Sequence, residues 1–246
     1  MNYVNEVRSI AREIFISDIH GQFEAFTSLL AKLDYQPAED VLYLLGDYID
    51  RGPQSNEVIE YLLELKETAG SNITFLKGNH EAMMLDAFEN EDKSNVGLWF
   101  ENGGRETIKS YIGDDLISSP FDEIEHAIRR DYPDHLEFIK NLQLYEETTD
   151  HILVHAGIDP FLENWKQASE HTFVWTRSPF LESNHAAGKT VVFGHTPTLT
   201  LHEDASVWFQ SDKIGIDGGA GFQKQLNALI YEDEAYSTVS VPVEVG

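Results

Sequence analysis

One local pattern recurs three times between residues 13 and 81, and it restricts the fold more than any other feature of the chain. Glu13-Ile14-Phe15-Ile16-Ser17 is a short, largely apolar run that ends in Asp18-Ile19-His20-Gly21 and leads into an amphipathic stretch from Gln22 to about Leu33. Val41 to Leu45 ends in Gly46-Asp47-Tyr48-Ile49-Asp50-Arg51-Gly52, and a second helical stretch follows from Asn56 to Thr68, with Ser55 as its expected N-cap. Ile73 to Lys77 ends in Gly78-Asn79-His80-Glu81 before a third helix. Apolar runs of this length, bounded by glycine, read as strands buried on both faces. Strands that alternate with helices predict an α/β fold.

The pattern stops at about Met84 and resumes after Leu144. In between, helical segments punctuated by Gly103-Gly104, Pro120 and Pro133 read as an insertion over 84–144 within a single domain spanning 1–246. Strands return at His151-Ile152-Leu153-Val154, before His155-Ala156-Gly157, and at Thr190-Val191-Val192-Phe193, before Gly194-His195-Thr196-Pro197. Gly215 to Gly219, Ala228 to Tyr231 and Ser237 to Val241 read as closing strands. Strand–helix units followed by strands alone predict two sheets packed on each other.

Composition excludes several functions. With 43 acids against 17 lysines and arginines, the net charge of -26 repels nucleic acid and anionic membranes. No apolar run has the length of a membrane span, and Met1 to Val7 lacks the basic-then-apolar pattern of a leader. There is no cysteine, hence no disulfide, thiolate metal ligand or thiol nucleophile. These features together predict a cytoplasmic protein.

The polar clusters all fall at the carboxyl ends of expected strands, where ligands collect in α/β proteins. Asp18, His20, Asp47, Asp50, Asn79, His80, His155 and His195 combine oxygen and imidazole donors suited to manganese, iron or zinc, with Arg51 among them as a cation. Singly, each has an ordinary explanation: aspartate and asparagine cap helices, and histidines beside apolar runs are usually core residues. Five such clusters in register at strand ends are not explained that way. Two divalent ions held among them could clamp a phosphoryl group, and arginines match its oxygens bidentately.

Taken in order, Ser17-Asp18-Ile19-His20-Gly21, Gly46 to Gly52, Gly78-Asn79-His80-Glu81, His155-Ala156-Gly157 and Gly194-His195-Thr196-Pro197 resemble the metallophosphoesterases, specifically the bacterial and phage-type branch of the phosphoprotein phosphatase family. The resemblance implies a calcineurin-like fold, a central two-sheet β-sandwich flanked by helices. It implies that Asp18, His20 and Asp47 hold one metal and that Asn79, His155 and His195 hold a second, with Asp47 shared. His80 would be the general acid, oriented by Asp50, while Arg51 and Arg177 bind phosphate. The implied reaction is direct attack on phosphorus by a metal-bridging water or hydroxide, and Mn²⁺ is the first-choice ion, with iron or zinc as alternatives. Asp217 is expected to be structural, and Glu81 is expected to act on its helix through the macrodipole.

The leading expectation is a serine/threonine protein phosphatase with phosphoprotein or phosphopeptide substrates. The alternative is a symmetrical dinucleoside tetraphosphate hydrolase, which shares the same motifs but needs cationic and stacking side chains for its larger substrate. A non-catalytic scaffold would have lost one of the ligand positions, and none is lost.

Overall fold

The apolar runs become strands because both of their faces are covered. The computed structural model describes residues 12–89, 94–113 and 118–244, so the opening heptapeptide, read above for a leader, lies outside the described residues. Strands β1 (Glu13–Ile16), β2 (Val41–Leu44) and β3 (Ile73–Phe75) are parallel neighbours, with Ile14 opposite Leu42 and Leu42 opposite Ile73. The second sheet contains β4 (Tyr145–Glu147), β5 (His151–Val154), β6 (Thr190–Phe193), β7 (Trp208–Phe209) and β8 (Lys213–Gly215), in the order β4-β5-β6-β8-β7. The last two strands, β9 (Gln225–Glu232) and β10 (Ala235–Pro242), return to the first sheet, whose order is β10-β9-β1-β2-β3.

Successive side chains point to opposite faces of a strand, and that alternation builds the layers. Phe15, Tyr43 and Leu229 of the first sheet meet Leu153, Val192 and Ile214 of the second. Ile14, Ile16, Leu42 and Leu44 face the other way, onto helices α1 (Phe23–Lys32) and α2 (Ser55–Ala69) through Phe26, Leu29, Val58 and Leu62. Ile152, Val154, Val191 and Phe193 face outward from the second sheet, under Trp165, Phe180 and Phe173 of α8 (Glu170–Trp175). Each fully buried side chain of this size contributes about 1.5–3 kcal/mol.

Between β3 and β4 lie α3 (Asn79–Glu89), α4 (Val96–Glu101), α5 (Gly104–Ile112), α6 (Phe121–Asp131) and α7 (Pro133–Lys140). Pro133 sits in the first turn of α7, where its missing N–H leaves no helix bond unmade. The α4–α5 corner is tight. A Cβ on Gly104 would lie 2.5 Å from the Trp99 ring, so only glycine lets the indole pack there.

Three local expectations need correction. Ser55 is the first residue of α2 rather than its cap; its Oγ accepts the Asp50 N–H at 3.1 Å, and Gln54 occupies the cap position. The strand expected over Gly215 to Gly219 instead runs Lys213–Gly215, leaving Ile216 to Gly219 as a loop at its end. The short strands β4 and β7 were not expected: both are edge strands, and edges need no apolar alternation.

Candidate active site

Three loops interlock before any ligand is considered. The loop after β1 donates Asp18 N to Gly46 O (3.1 Å), His20 N to Asp47 O (2.9 Å) and Gly21 N to Tyr48 O (2.8 Å), which zips it to the loop after β2. Glu81 in the first turn of α3 fastens the third. Its fully buried carboxylate accepts from Gly78 N at 2.8 Å, Asp47 N at 2.9 Å and Tyr48 N at 2.7 Å. The expected macrodipole contact is therefore the lesser part of what Glu81 does. The approach is so close that a Cβ on Gly46, at φ 95°, would stand 2.5 Å from Gly78 N.

The loops hold their functional residues in an unusual backbone state. Asp18, His20, Asp47, Asp50, Arg51 and His195 all have φ between 48° and 72°, the left-handed region that non-glycine residues rarely enter. Strain of this kind clusters where a side chain must be aimed.

The ten residues singled out from the sequence come together. His20 Nε2 lies 3.9 Å from Asp18 Oδ1 and 3.6 Å from Asp47 Oδ2. His155 Nε2 lies 3.3 Å from Asp47 Oδ2 and 3.0 Å from Asn79 Oδ1, and His195 Nδ1 lies 2.8 Å from the same Asn79 oxygen. Both Asp18 oxygens accept the His195 N–H, at 3.2 and 3.0 Å, which links the two sheets across the site.

His20 Nε2 and His155 Nε2 both converge on Asp47 Oδ2, an arrangement that a shared cation would satisfy. His20 Nδ1 lies 2.9 Å from Ile49 O and His155 Nδ1 2.8 Å from Leu45 O, so each ring carries a proton on Nδ1 and turns Nε2 toward carboxylate and amide oxygens. A backbone acceptor behind an imidazole is the arrangement that orients a metal-ligating histidine. His195 Nε2 is buried with no hydrogen-bond partner among the described residues. Two groups of ligand atoms, His20/Asp47/His80 and Asp47/His155/His195, each lie within 4.8 Å of one another. The donor set therefore fits divalent ions.

Electrostatics point the same way. Burial holds the His20 imidazole well below its ordinary range, helped by His80 and Arg51. Burial also takes His195 down to about 2, with His155 adding to the fall. His155 moves in the opposite direction: burial is outweighed by Asp47 and the ring rises to about 9, drawing in a proton where positive charge is short. Burial raises Asp18, with Asp47 adding to it, and raises Asp217 well above the carboxylate range, with Asp18 and Asp47 adding. Asp217 Oδ1 accepts from Gly219 N at 2.8 Å and its carbonyl from Thr198 N at 2.9 Å, fixing the loop after β8.

His80 is engaged differently. Its Nδ1 lies 2.7 Å from Asp50 Oδ2, with both side chains fully buried, and its Nε2 faces Arg51 Nη2 at 3.0 Å. Burial opposes a charge on this ring, but Asp47 and the hydrogen-bonded Asp50 outweigh it and raise its pKa. Asp50 is held by donors the sequence did not reveal: Thr107 Oγ1 at 2.6 Å and Trp99 Nε1 at 3.1 and 3.0 Å. No sequence signal could have identified Trp99, which reads as a core aromatic.

Arg51 reaches His20 Nε2 with its other nitrogen, at 3.0 Å, and Phe222 covers the guanidinium at 4.6 Å from the ring centroid. Arg177 donates to His195 O at 3.3 Å. Both arginines and Lys224 line one groove of about 530 Å³ with Leu199 and Phe222, which are 43% and 55% exposed. Among the described residues none of these three cations is paired with a carboxylate, although acids greatly outnumber bases in the chain.

A two-sheet fold with buried aspartates, histidines and an asparagine converging at its strand ends defines a metal-dependent phosphoesterase. The chain belongs to the calcineurin-like phosphoesterase family, whose profile matches residues 12–224; the family is dinuclear and metal-dependent. It is 29% identical over 218 residues to serine/threonine-protein phosphatase 1 of Salmonella typhimurium, covering 86% of this chain and 88% of that one. It is 30% identical over 146 residues to the symmetrical bis(5'-nucleosyl)-tetraphosphatase of Klebsiella pneumoniae, covering 59% of this chain and 43% of that one. A solved serine/threonine phosphatase from Saccharomyces cerevisiae shares the fold, with a TM-score of 0.61 at 15% identity over 98% of this chain and 83% of that one. No helix among the described residues is long and apolar enough to cross a membrane.

Proposed function

We propose that this protein removes phosphate from phosphoserine and phosphothreonine side chains of other proteins, in the cytoplasm. The observation that carries the reading is the buried His80–Asp50 pair beside Arg51, at the edge of a cluster of facing lone pairs. Asp18, His20 and Asp47 would hold one divalent ion and Asn79, His155 and His195 the other, with Asp47 shared. Manganese is the ion to test first. Bound there, such ions supply Lewis acidity at phosphoryl oxygens.

The chain's own residues do the rest. Arg51 and Arg177 bind non-bridging oxygens and orient the phosphoryl group in line for attack by water. As the water oxygen bonds to phosphorus, one of its protons staying with the inorganic phosphate and the other passing to solvent, the P–O bond to the serine oxygen breaks and its electron pair goes to that oxygen, which takes a proton from His80 Nε2. Asp50 on Nδ1 fixes the ring and supports its charge before transfer. His80 Nε2 lies 3.9 Å from Asp47 Oδ2, and the Asp50 carboxylate on its Nδ1 supports reading it as the acid rather than as a ligand.

One observation favours the second reading, a dinucleoside polyphosphatase. The groove collects Arg51, Arg177 and Lys224 beside the exposed Phe222 ring, and nothing in the sequence indicated that Lys224 and Phe222 would join the two arginines there. Such a groove could take further phosphates and a base. A panel of phosphoserine peptide, phosphotyrosine peptide and diadenosine tetraphosphate, assayed with the Mn²⁺-loaded protein, separates the readings. Turnover of the phosphoserine peptide supports the first reading, and turnover of the dinucleotide without the peptides overturns it. His80→Asn should lower turnover about 10²–10⁴-fold with metal content unchanged; loss of metal would show that His80 is a ligand instead.

A further inference from the structure

We propose that the α4–α5 corner is a positioning element for the proton donor, with Trp99 and Thr107 acting on His80 through Asp50. The proposal rests on the reading of His80 as the acid. Asp50 is fully buried, and its two oxygens meet three side-chain groups: His80 Nδ1 at 2.7 Å on Oδ2, Thr107 Oγ1 at 2.6 Å on Oδ1, and Trp99 Nε1 at 3.0 and 3.1 Å across both. Trp99 lies in α4 and Thr107 in α5, neither of which carries a candidate metal ligand.

With Asp50 ionised, the donor types around it fix the hydrogens. An indole N–H is donor only, so Trp99 must point at an acceptor, and it does so from a fully buried position. Thr107 has one hydroxyl hydrogen, and the Asp50 carboxylate at 2.6 Å takes it. Thr107 Oγ1 then accepts from Asp50 N at 2.8 Å and from the Ser55 hydroxyl at 3.0 Å, while Ser55 Oγ accepts the same Asp50 N–H at 3.1 Å. The carboxylate plane is thereby held on three sides, and Oδ2 meets the imidazole in a single direction.

The same corner also grips the neighbouring phosphate-binding residue. Arg51 N donates to Gly103 O at 3.2 Å, and a Cβ on Gly103 would lie 2.7 Å from Arg51 N. The insertion therefore reaches His80 and Arg51 through one short turn.

A positioning role differs from a merely structural one in how it depends on the leaving group. The 2,4-dinitrophenolate ion departs without a proton, whereas phenolate and serine alkoxide require one. In the Mn²⁺-loaded protein, Thr107→Val removes one donor at constant side-chain volume, and Trp99→Phe removes one donor together with part of the ring. Losing a hydrogen bond to a charged group should lower kcat for phenyl phosphate about tenfold more than kcat for 2,4-dinitrophenyl phosphate, with KM little changed. Thr107→Ser should restore the ratio. In the protein loaded with diamagnetic Zn²⁺, the His80 Nδ1–H proton resonance gives a second readout, and its exchange with water should accelerate in both variants even where turnover is lost. Equal loss on the two esters, or an unchanged Nδ1–H resonance, overturns the proposal. If the unsubstituted protein cleaves neither ester, the hydrolase reading falls and this assignment falls with it.

Discussion

Glu81 offers the sharpest test of how the site is held together. If its role were confined to the macrodipole of α3, its removal would cost about 0.3–1 kcal/mol. The structure gives it a larger task, because its carboxylate accepts from Gly78 N, Asp47 N and Tyr48 N at 2.7–2.9 Å in a position sealed from water. Glu81→Ala leaves four buried N–H groups without that acceptor, Ile49 N at 3.4 Å beside the three closer ones. At about 1.5 kcal/mol for each of the three short hydrogen bonds to a charged group, the loss comes to about 4.5 kcal/mol, a large part of the stability of an ordinary domain. Glu81→Gln keeps one acceptor oxygen but turns an NH₂ toward donors, so it should lose about 2 kcal/mol.

Urea unfolding of the chelated protein measures both values without contribution from bound ions. The variants should also bind metal more weakly, since the Asp47 amide is one of the three tied groups. A loss below about 1 kcal/mol for Glu81→Ala would refute the argument and return Glu81 to the macrodipole role.

Other tests address the site directly. Asp47→Asn should lower the content of both ions, measured by elemental analysis after dialysis, and two ions retained in full would contradict a shared ligand. Gly46→Ala forces a Cβ to within 2.5 Å of Gly78 N at φ 95°, which should cost at least about 2 kcal/mol in chemical denaturation; a neutral result would contradict the close loop contact. In the metal-free protein, His155 stands at about 9, above its ordinary 6.5, so the stability it contributes is complete below pH 6.5 and is lost as pH rises through 9. Glu81, pushed up to about 7 by burial and Asp47, loses stability in the same direction as it ionises. His20 and His195, held low by burial, remove stability as pH falls below 6.5. The chelated protein should therefore melt highest near pH 6.5 and lose up to about 3 kcal/mol by pH 9 from His155 alone; unchanged or rising stability over that range would contradict the assignment.

The sequence made the site residues legible because their signal is local. A parallel strand delivers whatever follows its last apolar residue to the same rim, so Asp18, Asp47, Asn79, His155 and His195 could be grouped without knowing how the sheets lie. The supports of the site were not legible, because their partners are distant in sequence. Trp99 finds Asp50 at a separation of 49 residues and Thr107 finds it at 57, and no periodicity encodes either contact. The edge strands fail for another reason: Tyr145 to Glu147 and Trp208 to Phe209 pair on one side only and lack the apolar run that marks a central strand. The segment from Gly215 to Gly219 misleads because Ile216 is fully buried although the ladder ends before it.

The left-handed residues of the site have a consequence for the kind of molecule it can serve. Asp18, His20, Asp47, Asp50, Arg51 and His195 sit in a conformation that is tolerated only while bonds such as Asp18 N to Gly46 O and His20 N to Asp47 O hold the loops together. Loops held that firmly cannot fold over a substrate and shut it in. The ligand loops form a fixed surface, so an ion or a phosphate meets side chains that are already aimed.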